Sequence, residues 1–169
     1  KPVSRLAVNL SKLFSMQREL DEKIVREKNL HDLDRLPYLK LALLVELGEL
    51  ANEWRGFKFW SNDRKPRREK MLEEYVDCLH FILSIGLLLQ VPEDQEFDYL
   101  GRVYSDEWII HTFRLIFYGV TQIEGHSGWH HVTEEFISLG ESLGLTWDEI
   151  EQAYIQKNVV NHQRQENGY

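Results

Sequence analysis

Four acidic residues lie at helical spacing in two mostly apolar segments of the chain. Glu46 and Glu49 are three residues apart in the first segment, and Glu74 and Asp77 repeat that spacing in the second. At about 100° per residue, the two acids of each pair lie within about 60° of one another on a helix face. Burying four unpaired carboxylates would cost much free energy unless cations neutralised them. Oxygen-only ligation suits Mg²⁺ or Mn²⁺, which also bind substrate phosphates, so the pattern predicts a divalent metal site.

Two other interpretations of these acids stay open. A single pair of acids three residues apart is common on solvated helices, where it is only surface charge. A di-iron bundle would need two Glu-x-x-His motifs. Asp77-x-x-His80 matches one of them in part, and no Glu-x-x-His falls on another predicted helix. Two acid pairs on consecutive apolar helices favour the divalent metal site over both.

Cationic side chains are concentrated in two places. Residues 55–70 carry seven Lys or Arg against two acids, a local charge of +5 in a chain of net charge -8. On the predicted last helix, Lys157, Asn161 and Arg164 lie at i, i+4 and i+7, within about 60° on one face. Such a face suits phosphate oxygens, although for the pattern alone a solvated helix face is the commoner explanation.

Polar and aromatic side chains on two of these helices have the chemistry to recognise a nucleobase. Gln17 and Asp21 lie four residues apart and offer both donors and acceptors. His80 and Phe81 follow the second acid pair and offer an imidazole contact and a stacking ring. A polar helix face explains the first pair equally well, and core packing explains the second.

Helices must position these residues, because apolar residues recur with helical period almost throughout and no segment alternates with period two. The predicted helices cover residues 4–28, 37–54, 67–90 and 93–121, with Gly101 as a candidate break. Residues 125–131 are predicted as a loop or helix entrance, followed by a helix to about residue 143. Thr146-x-x-Glu149 is a capping-box signature that predicts a last helix over residues 147–166. The prediction is one all-α domain over residues 1–169, a bundle of five to seven helices.

The histidines of the segment 125–131 are the remaining candidates for chemistry. They are His126, His130 and His131. Because no cysteine stands near them, we interpret them as incidental.

Composition excludes several classes of protein. The 169 residues, 43% of them hydrophobic, suffice for one domain with a core. A net charge of -8 argues against a general nucleic-acid or anionic-membrane binder, because such surfaces need basic patches. The single cysteine, Cys78, excludes an internal disulfide and a multi-cysteine zinc site. The longest apolar stretch, residues 81–89, is too short to span a bilayer. We therefore expect a soluble cytoplasmic protein that binds neither nucleic acid nor membrane.

Motifs spread along the chain occur in the order found in one known family. Glu46-x-x-Glu49, a gap of 24 residues and Glu74-x-x-Asp77 resemble the metal motif of the MazG-like all-α nucleoside-triphosphate pyrophosphatases. Finer features resemble the dimeric dUTPase branch of that superfamily. They are Met16-Gln17-x-x-Leu20-Asp21, Phe57-Lys58-Phe59-Trp60, Glu74-x-x-Asp77-x-x-His80-Phe81-Ile82-Leu83-Ser84 and Lys157-Asn158-x-x-Asn161-x-x-Arg164-Gln165-x-x-Gly168-Tyr169.

The resemblance implies an activity and a role for each matched residue. The activity is Mg²⁺-dependent hydrolysis of dUTP to dUMP and pyrophosphate by water attack at the β-phosphorus, with dUDP also accepted. Such an enzyme limits uracil in DNA and supplies dUMP for thymidylate synthesis. Glu46, Glu49, Glu74 and Asp77 would ligate two or more Mg²⁺ ions, with Mn²⁺ as a substitute, and Glu49 would orient or deprotonate the water. Gln17, Asp21, Trp60, His80 and Phe81 would form the uracil and deoxyribose pocket, and Lys58, Lys157, Asn161, Arg164 and Gln165 would line the phosphates.

The same resemblance implies a homodimer in which the partner chain completes the pocket. Two departures from the family pattern concern the site. Position 21 is Asp where some relatives have Asn, and an ionised carboxylate accepts from uracil N3–H but cannot donate to a carbonyl. The sequence stops at Tyr169 where relatives continue into a tail containing Gly and Lys. A pyrophosphatase of the same superfamily that prefers dCTP or a modified nucleotide, and a non-catalytic helical module, are the alternatives.

Overall fold

A computed structural model describes residues 6–99 and 104–169 of the chain. Within these residues six helices account for most of the structure, which confirms the all-α prediction. The elements are β1 (Leu6–Asn9), α1 (Ser11–Glu27), α2 (Leu36–Trp54), α3 (Arg68–Leu88), β2 (Glu96–Tyr99), α4 (Asp106–Thr121), α5 (His126–Ser142) and α6 (Trp147–Glu166).

The structure corrects the prediction at the first and fourth helices. They begin at Ser11 and Asp106 instead of residues 4 and 93, and a small antiparallel sheet of β1 and β2 occupies the segments before them. Val8 pairs with Phe97 at the buried position of each strand. With only four residues in each strand, the two-residue period is too short to be read from the sequence. The candidate break at Gly101 lies outside the described residues.

Local capping chemistry determines where the other helices start. The predicted capping box is confirmed, because Thr146 accepts from the Glu149 N–H and the Glu149 carboxylate accepts from the Thr146 N–H. Pro37 lies in the first turn of α2, where no intrahelical donor is needed. Of the two alternatives for residues 125–131, the loop is wrong, since α5 begins at His126 and carries all three histidines. His130 Nδ1 lies 2.7 Å from Gln95 Oε1, and its Nε2 lies 2.7 Å from Glu134.

The α2–α3 pair forms the centre of the bundle. The two helices are joined by the loop of residues 55–67, which is closed by a hydrogen bond of 2.9 Å from the Arg67 N–H to the Glu53 carbonyl. On the far side of α3, Trp129 of α5 donates to the Ile82 carbonyl at 2.8 Å. Gly86 permits this approach, because a Cβ there would lie 2.9 Å from the Trp129 ring. Helices α1 and α6 both pack against the same central helix, α3.

Most of the side chains buried in the core of this bundle are apolar. Among the described residues, no helix is both long and apolar enough to traverse a lipid bilayer.

Candidate active site

The packing of α2 against α3 brings three of the four predicted metal ligands together. One carboxylate oxygen from each of Glu46, Glu74 and Asp77 lies within 4.8 Å of the other two, and all three residues are half-buried. Oε2 of Glu46 and Oε2 of Glu74 are buried without a hydrogen-bond partner. Oxygen atoms that are left unpaired in this way suit a hard divalent cation, so the residues present fit Mg²⁺ or Mn²⁺.

Glu49 lies beside this cluster on the exposed side of α2. Burial raises the pKa of Glu46 well above its usual range, and hydrogen bonding and repulsion from Glu49 raise it further. Burial followed by the hydrogen bond to Glu49 likewise raises the pKa of Glu74. The fourth acid is therefore within reach of two of the others, and it is the one that faces solvent.

A lysine of the last helix is ion-paired with the acidic cluster. Lys157 Nζ lies 3.1 Å from Asp77 Oδ1 and 3.9 Å from Glu73 Oε1. Burial raises the pKa of Asp77, and the charge of Lys157 acts in the opposite direction. Lys157 therefore stands at the boundary between the acids and the remaining predicted phosphate-binding residues of α6.

A cavity of about 450 Å³ extends from this boundary between α1, α2, α3 and α6. It brings together ten of the fourteen predicted site residues, which are Gln17, Asp21, Glu46, Asp77, His80, Phe81, Lys157, Asn161, Arg164 and Gln165. Glu49 and Glu74 belong to the adjoining acidic cluster. The cavity thus has an acidic and cationic end near Lys157 and a polar end around Gln17.

The polar end is organised around the buried amide of Gln17. Its Nε2 donates to Asp21 Oδ1 at 2.9 Å and to Ser84 Oγ at 3.1 Å. Its Oε1 lies 2.6 Å from His80 Nδ1 and 2.8 Å from the hydroxyl of Tyr154. Two polar atoms of this network, Asp21 Oδ2 and His80 Nε2, are buried without a partner. They are the atoms of the network that can bind a ligand.

Burial also shifts the pKa of both groups. It raises the pKa of Asp21, against the opposing hydrogen bonds from Gln17 and Ser84 and the charge of Arg35. Burial, followed by the charge of Lys157, lowers the pKa of His80 to about 3. The imidazole is therefore neutral at physiological pH.

Lys58 and Trp60 are the two predicted site residues that belong neither to the cavity nor to the adjoining acidic cluster. Both lie on the loop of residues 55–67, where Trp60 is 65% exposed and packs edge-on against Phe57 and Phe59. Lys58 Nζ lies 5.8 Å from the centre of the Phe57 ring. Their role in substrate binding stays a prediction, because within one chain neither residue lines the cavity.

Most of the Lys and Arg side chains of residues 55–70 form ion pairs with acidic side chains. Arg67 pairs with Asp63 at 2.5 Å, and Arg68 pairs with Glu149 at 2.5 Å. Arg64 lies 3.3 Å from Asp106. The local charge of +5 is therefore largely used in structural ion pairs, and a phosphate would find fewer free cations there than the sequence indicates.

Sequence reasoning missed several residues of the cavity. They include Ser84, Arg35, Tyr38 and Tyr169, and also Tyr154, which lies behind the polar end. Tyr154 lies three residues before Lys157 on α6, but it is fully buried and its spacing alone did not distinguish it from a core residue. Tyr169 is the last residue of the motif that begins at Lys157, and its ring centre lies 5.6 Å from the Arg164 guanidinium.

A larger cavity of about 830 Å³ adjoins the first one on the side of the α1–α2 connection. It shares Asp21 and Arg35 with the smaller cavity, and Arg18, Arg26 and His31 line its outer part. The acidic cluster does not line it. Size alone therefore does not identify the site. The smaller cavity is the candidate because it is lined by Glu46 and His80, which have buried atoms without a hydrogen-bond partner.

Comparison with known proteins identifies the family. A family model described as dUTPase matches residues 9–169, which include every predicted site residue. A search of curated proteins gave no match. Since the family model spans nearly the whole chain, the chain belongs to the all-α dUTPase family, whose members are dUTP diphosphatases.

Proposed function

We propose that this dUTPase uses Mg²⁺ to hydrolyse dUTP to dUMP and pyrophosphate in the cytoplasm, and that it accepts dUDP. The observation that carries the proposal is one cavity of about 450 Å³ whose polar end is continuous with a cluster of carboxylates. A nucleotide has the same two parts, a neutral base and an anionic phosphate chain. The cavity is within the usual size of small-molecule sites.

The acidic cluster is the proposed metal site. Glu46, Glu74 and Asp77 would hold the ions directly, because their oxygens converge and two of them have no other partner. Glu49 would complete the set of ligands from the exposed side. When bound, Mg²⁺ neutralises these carboxylates, polarises phosphoryl oxygens and makes water a better nucleophile. Two or more ions would balance the four acids and the phosphate chain.

Glu49 is the proposed general base. It is exposed where its three neighbours are half-buried, so it can meet water at the mouth of the cluster. Its carboxylate can orient a water molecule by accepting a hydrogen bond and can take its proton. The geometry required of this step is a heavy-atom distance of about 2.6–3.2 Å in the complex with substrate.

Helix α6 supplies the proposed contacts to the phosphate chain. Lys157, Asn161 and Arg164 line the cavity along one helix face, with Gln165 beside them. Lys157, which pairs with Asp77 at the edge of the cavity, would donate to a phosphate oxygen of the bound nucleotide. Positioning and charge neutralisation of this kind are the main contributions of a protein to phosphoryl transfer.

Gln17, Asp21, His80 and Phe81 form the proposed base and sugar end. Phe81 is half-buried beside His80 and offers a ring face. Lys58 and Trp60 would join the site from the loop of a partner subunit, which is the reason to propose a homodimer. The exposed aromatic side chains of that loop are otherwise unexplained.

A substrate panel tests the proposal. With Mg²⁺ present we expect dUTP turnover with release of dUMP and pyrophosphate, weaker turnover of dUDP, and little of dCTP or dTTP. Chelation by EDTA should abolish it, and Mn²⁺ should restore part of it. A clear preference for dCTP or a modified nucleotide would favour the related pyrophosphatase, and absence of hydrolysis would favour a non-catalytic module.

The role of Glu49 needs a variant of its own. Glu49→Gln keeps the size of the side chain but cannot take a proton, so we expect kcat to fall by about 10²- to 10⁴-fold. Its far-ultraviolet circular dichroism should match the wild type. Glu19→Gln, at an exposed position of α1, is the control and should keep full turnover. Near-wild-type activity of Glu49→Gln would refute the assigned role.

A further inference from the structure

The buried amide of Gln17 has no free hydrogen-bonding capacity. Only 3% of the residue is exposed. Both amide hydrogens are donated, to Asp21 and to Ser84, and the oxygen accepts from two groups, the His80 ring and the Tyr154 hydroxyl. Asp21 and Ser84 accept from the amide nitrogen on one side, so the amide oxygen faces His80 and Tyr154, and all four bonds are satisfied in this orientation.

This orientation determines which nitrogen of His80 carries the hydrogen. The amide oxygen can only accept, so the bond of 2.6 Å requires a hydrogen on His80 Nδ1. Because burial keeps the ring neutral, Nε2 then has a lone pair and no hydrogen. That atom is buried, has no partner and belongs to a residue that lines the cavity.

Tyr154 holds the amide in place from behind. Its hydroxyl has one hydrogen, which is directed to Gln17 Oε1 at 2.8 Å in preference to the Leu13 carbonyl at 3.3 Å. Its ring also stacks on His80, with the ring centres 4.4 Å apart and the planes at 27°. Tyr154 is fully buried, so its hydroxyl contributes to the site only through the groups that it contacts, which also include the side chain of Asn158.

We infer that Tyr154 is a positioning residue for substrate recognition, which fixes the Gln17 amide and thereby keeps His80 Nε2 as a hydrogen-bond acceptor for an N–H or O–H group of the bound nucleotide. The inference rests on the proposed function, since it concerns the same cavity. It also specifies the chemistry of that end. Uracil has a hydrogen on N3, whereas cytosine has a lone pair on N3 that would oppose the lone pair of Nε2.

The first test needs no substrate. In nitrogen-15 NMR spectra of the metal-free wild type, His80 should show a protonated Nδ1 and an unprotonated Nε2. In Tyr154→Phe the amide is no longer held, and we expect the His80 signals to shift towards a mixture of the two tautomers. A protonated Nε2 in the wild type, or unchanged His80 signals in Tyr154→Phe, would overturn the inference whether or not the protein hydrolyses dUTP.

A matched control separates positioning from stability. Tyr75 is also fully buried, and its hydroxyl donates to the Phe136 carbonyl at 2.8 Å on the α5 side of α3. Tyr75→Phe should lower the unfolding temperature about as much as Tyr154→Phe. Unlike Tyr154→Phe, it should leave the His80 signals as in the wild type. A shift of the His80 signals in both variants would indicate a general loosening of the core and would contradict a positioning role.

The second test compares substrates. In Tyr154→Phe the ratio of kcat/KM for dUTP to that for dCTP should fall by about five- to tenfold, the effect of one neutral hydrogen bond. Most of the change for dUTP should be in KM, because the acids are not altered. Tyr75→Phe should keep the wild-type ratio. An unchanged ratio in Tyr154→Phe would overturn the inference, whereas a wild type without dUTP hydrolysis would contradict the proposed function and leave the NMR result to decide the role of Tyr154.

Discussion

At the scale of single residues, the acidic cluster combines burial with like charges. Three half-buried carboxylates converge within 4.8 Å, and burial raises the pKa of each above its usual value. Repulsion from neighbouring acids raises the pKa of Glu46 and Glu74 further, whereas Lys157 opposes the rise at Asp77. This arrangement opposes folding when all three are ionised and no cation is present. A bound divalent cation would make the cluster stabilise the folded state, because the cation interacts with the folded cluster much more strongly than with the unfolded chain.

Metal binding should therefore stabilise the folded protein measurably. At a Mg²⁺ concentration of 100 times Kd, one bound ion adds about 2.7 kcal/mol to the free energy of unfolding. Glu74→Gln removes one charged ligand, so its gain in unfolding temperature on adding Mg²⁺ should be less than half that of the wild type. Thermal unfolding followed by circular dichroism, in EDTA and in a Mg²⁺ series, measures this. Glu19→Gln should respond as the wild type does, and an equal response of Glu74→Gln would remove Glu74 from the site.

Lys157 provides a second prediction at this scale. It pairs with Asp77 in a place where the two side chains are 17% and 19% exposed. Lys157→Met should lower the free energy of unfolding in EDTA by about 1–3 kcal/mol, less than the cost of breaking a fully buried pair. Lys12→Met is the matched control, because Lys12 pairs with Glu151 at 3.4 Å but is 64% exposed. Its effect in the same urea titration should stay within about 0.5 kcal/mol, and equal losses in both variants would contradict the argument.

The residues that could be predicted from the sequence are those whose type is unusual for their helix face. The acids on apolar helices were visible because charge is expensive in a core. Tyr154 was missed because a buried tyrosine is ordinary core composition until its hydrogen-bond partner is known. The partner, Gln17, is 137 positions away in the chain. A contact of that kind is decided by tertiary packing, which one sequence does not display.

At the scale of elements, helix boundaries with a local chemical cause were predictable. The capping box places the start of α6 correctly, whereas α1 and α4 start later than predicted. The segments before them pair with each other across about 90 residues as β1 and β2. Their stabilisation is non-local, so helical periodicity extends past the true boundary without a signal to stop it.

The start of α6 should also show in the pH dependence of stability. Hydrogen bonds from Arg68, and then from the Thr146 backbone and hydroxyl, lower the pKa of Glu149 from its ordinary 4.5 to about 2. A lowered pKa means that Glu149 stabilises the fold at pH values above 4.5 and loses this contribution as the pH falls towards 2. The difference in unfolding free energy between the wild type and Glu149→Gln should therefore be constant between pH 7 and 5 and shrink below pH 4.5.

Urea unfolding at a series of pH values measures this difference. Glu151→Gln is the control, since Glu151 lies two residues further along α6 in a weaker ion pair of 3.4 Å, and its difference from the wild type should be small throughout. A Glu149 difference that persists unchanged at pH 3 would show that its effect on stability does not come from the ionised carboxylate.

At the scale of the whole molecule, one face of the bundle is apolar where it meets solvent. On α2 the exposed residues Tyr38, Leu41 and Val45 are followed at the same helical spacing by Gly48, whose Cβ position has no atom within 4 Å. Helix α4 packs beside α2 and exposes Trp108, Leu115 and Tyr118. A glycine at the end of this open apolar stripe allows the backbone of another helix to approach closely. A second copy of the chain is the occupant that would also bring a second loop of residues 55–67 to the site.

A charge in the centre of this face should therefore separate the copies. Val45 is 52% exposed, so Val45→Glu costs little in a monomer but would bury an unpaired carboxylate in a dimer. Light scattering coupled to size-exclusion chromatography should give a dimeric mass for the wild type and a monomeric mass for Val45→Glu. Val159→Glu is the matched control, because Val159 of α6 is 51% exposed on another face, and it should stay dimeric. If the loop of the partner completes the site, Val45→Glu should also lose dUTP turnover in proportion to its loss of dimer. Full activity of a monomeric Val45→Glu would show that Lys58 and Trp60 act within their own chain or not at all.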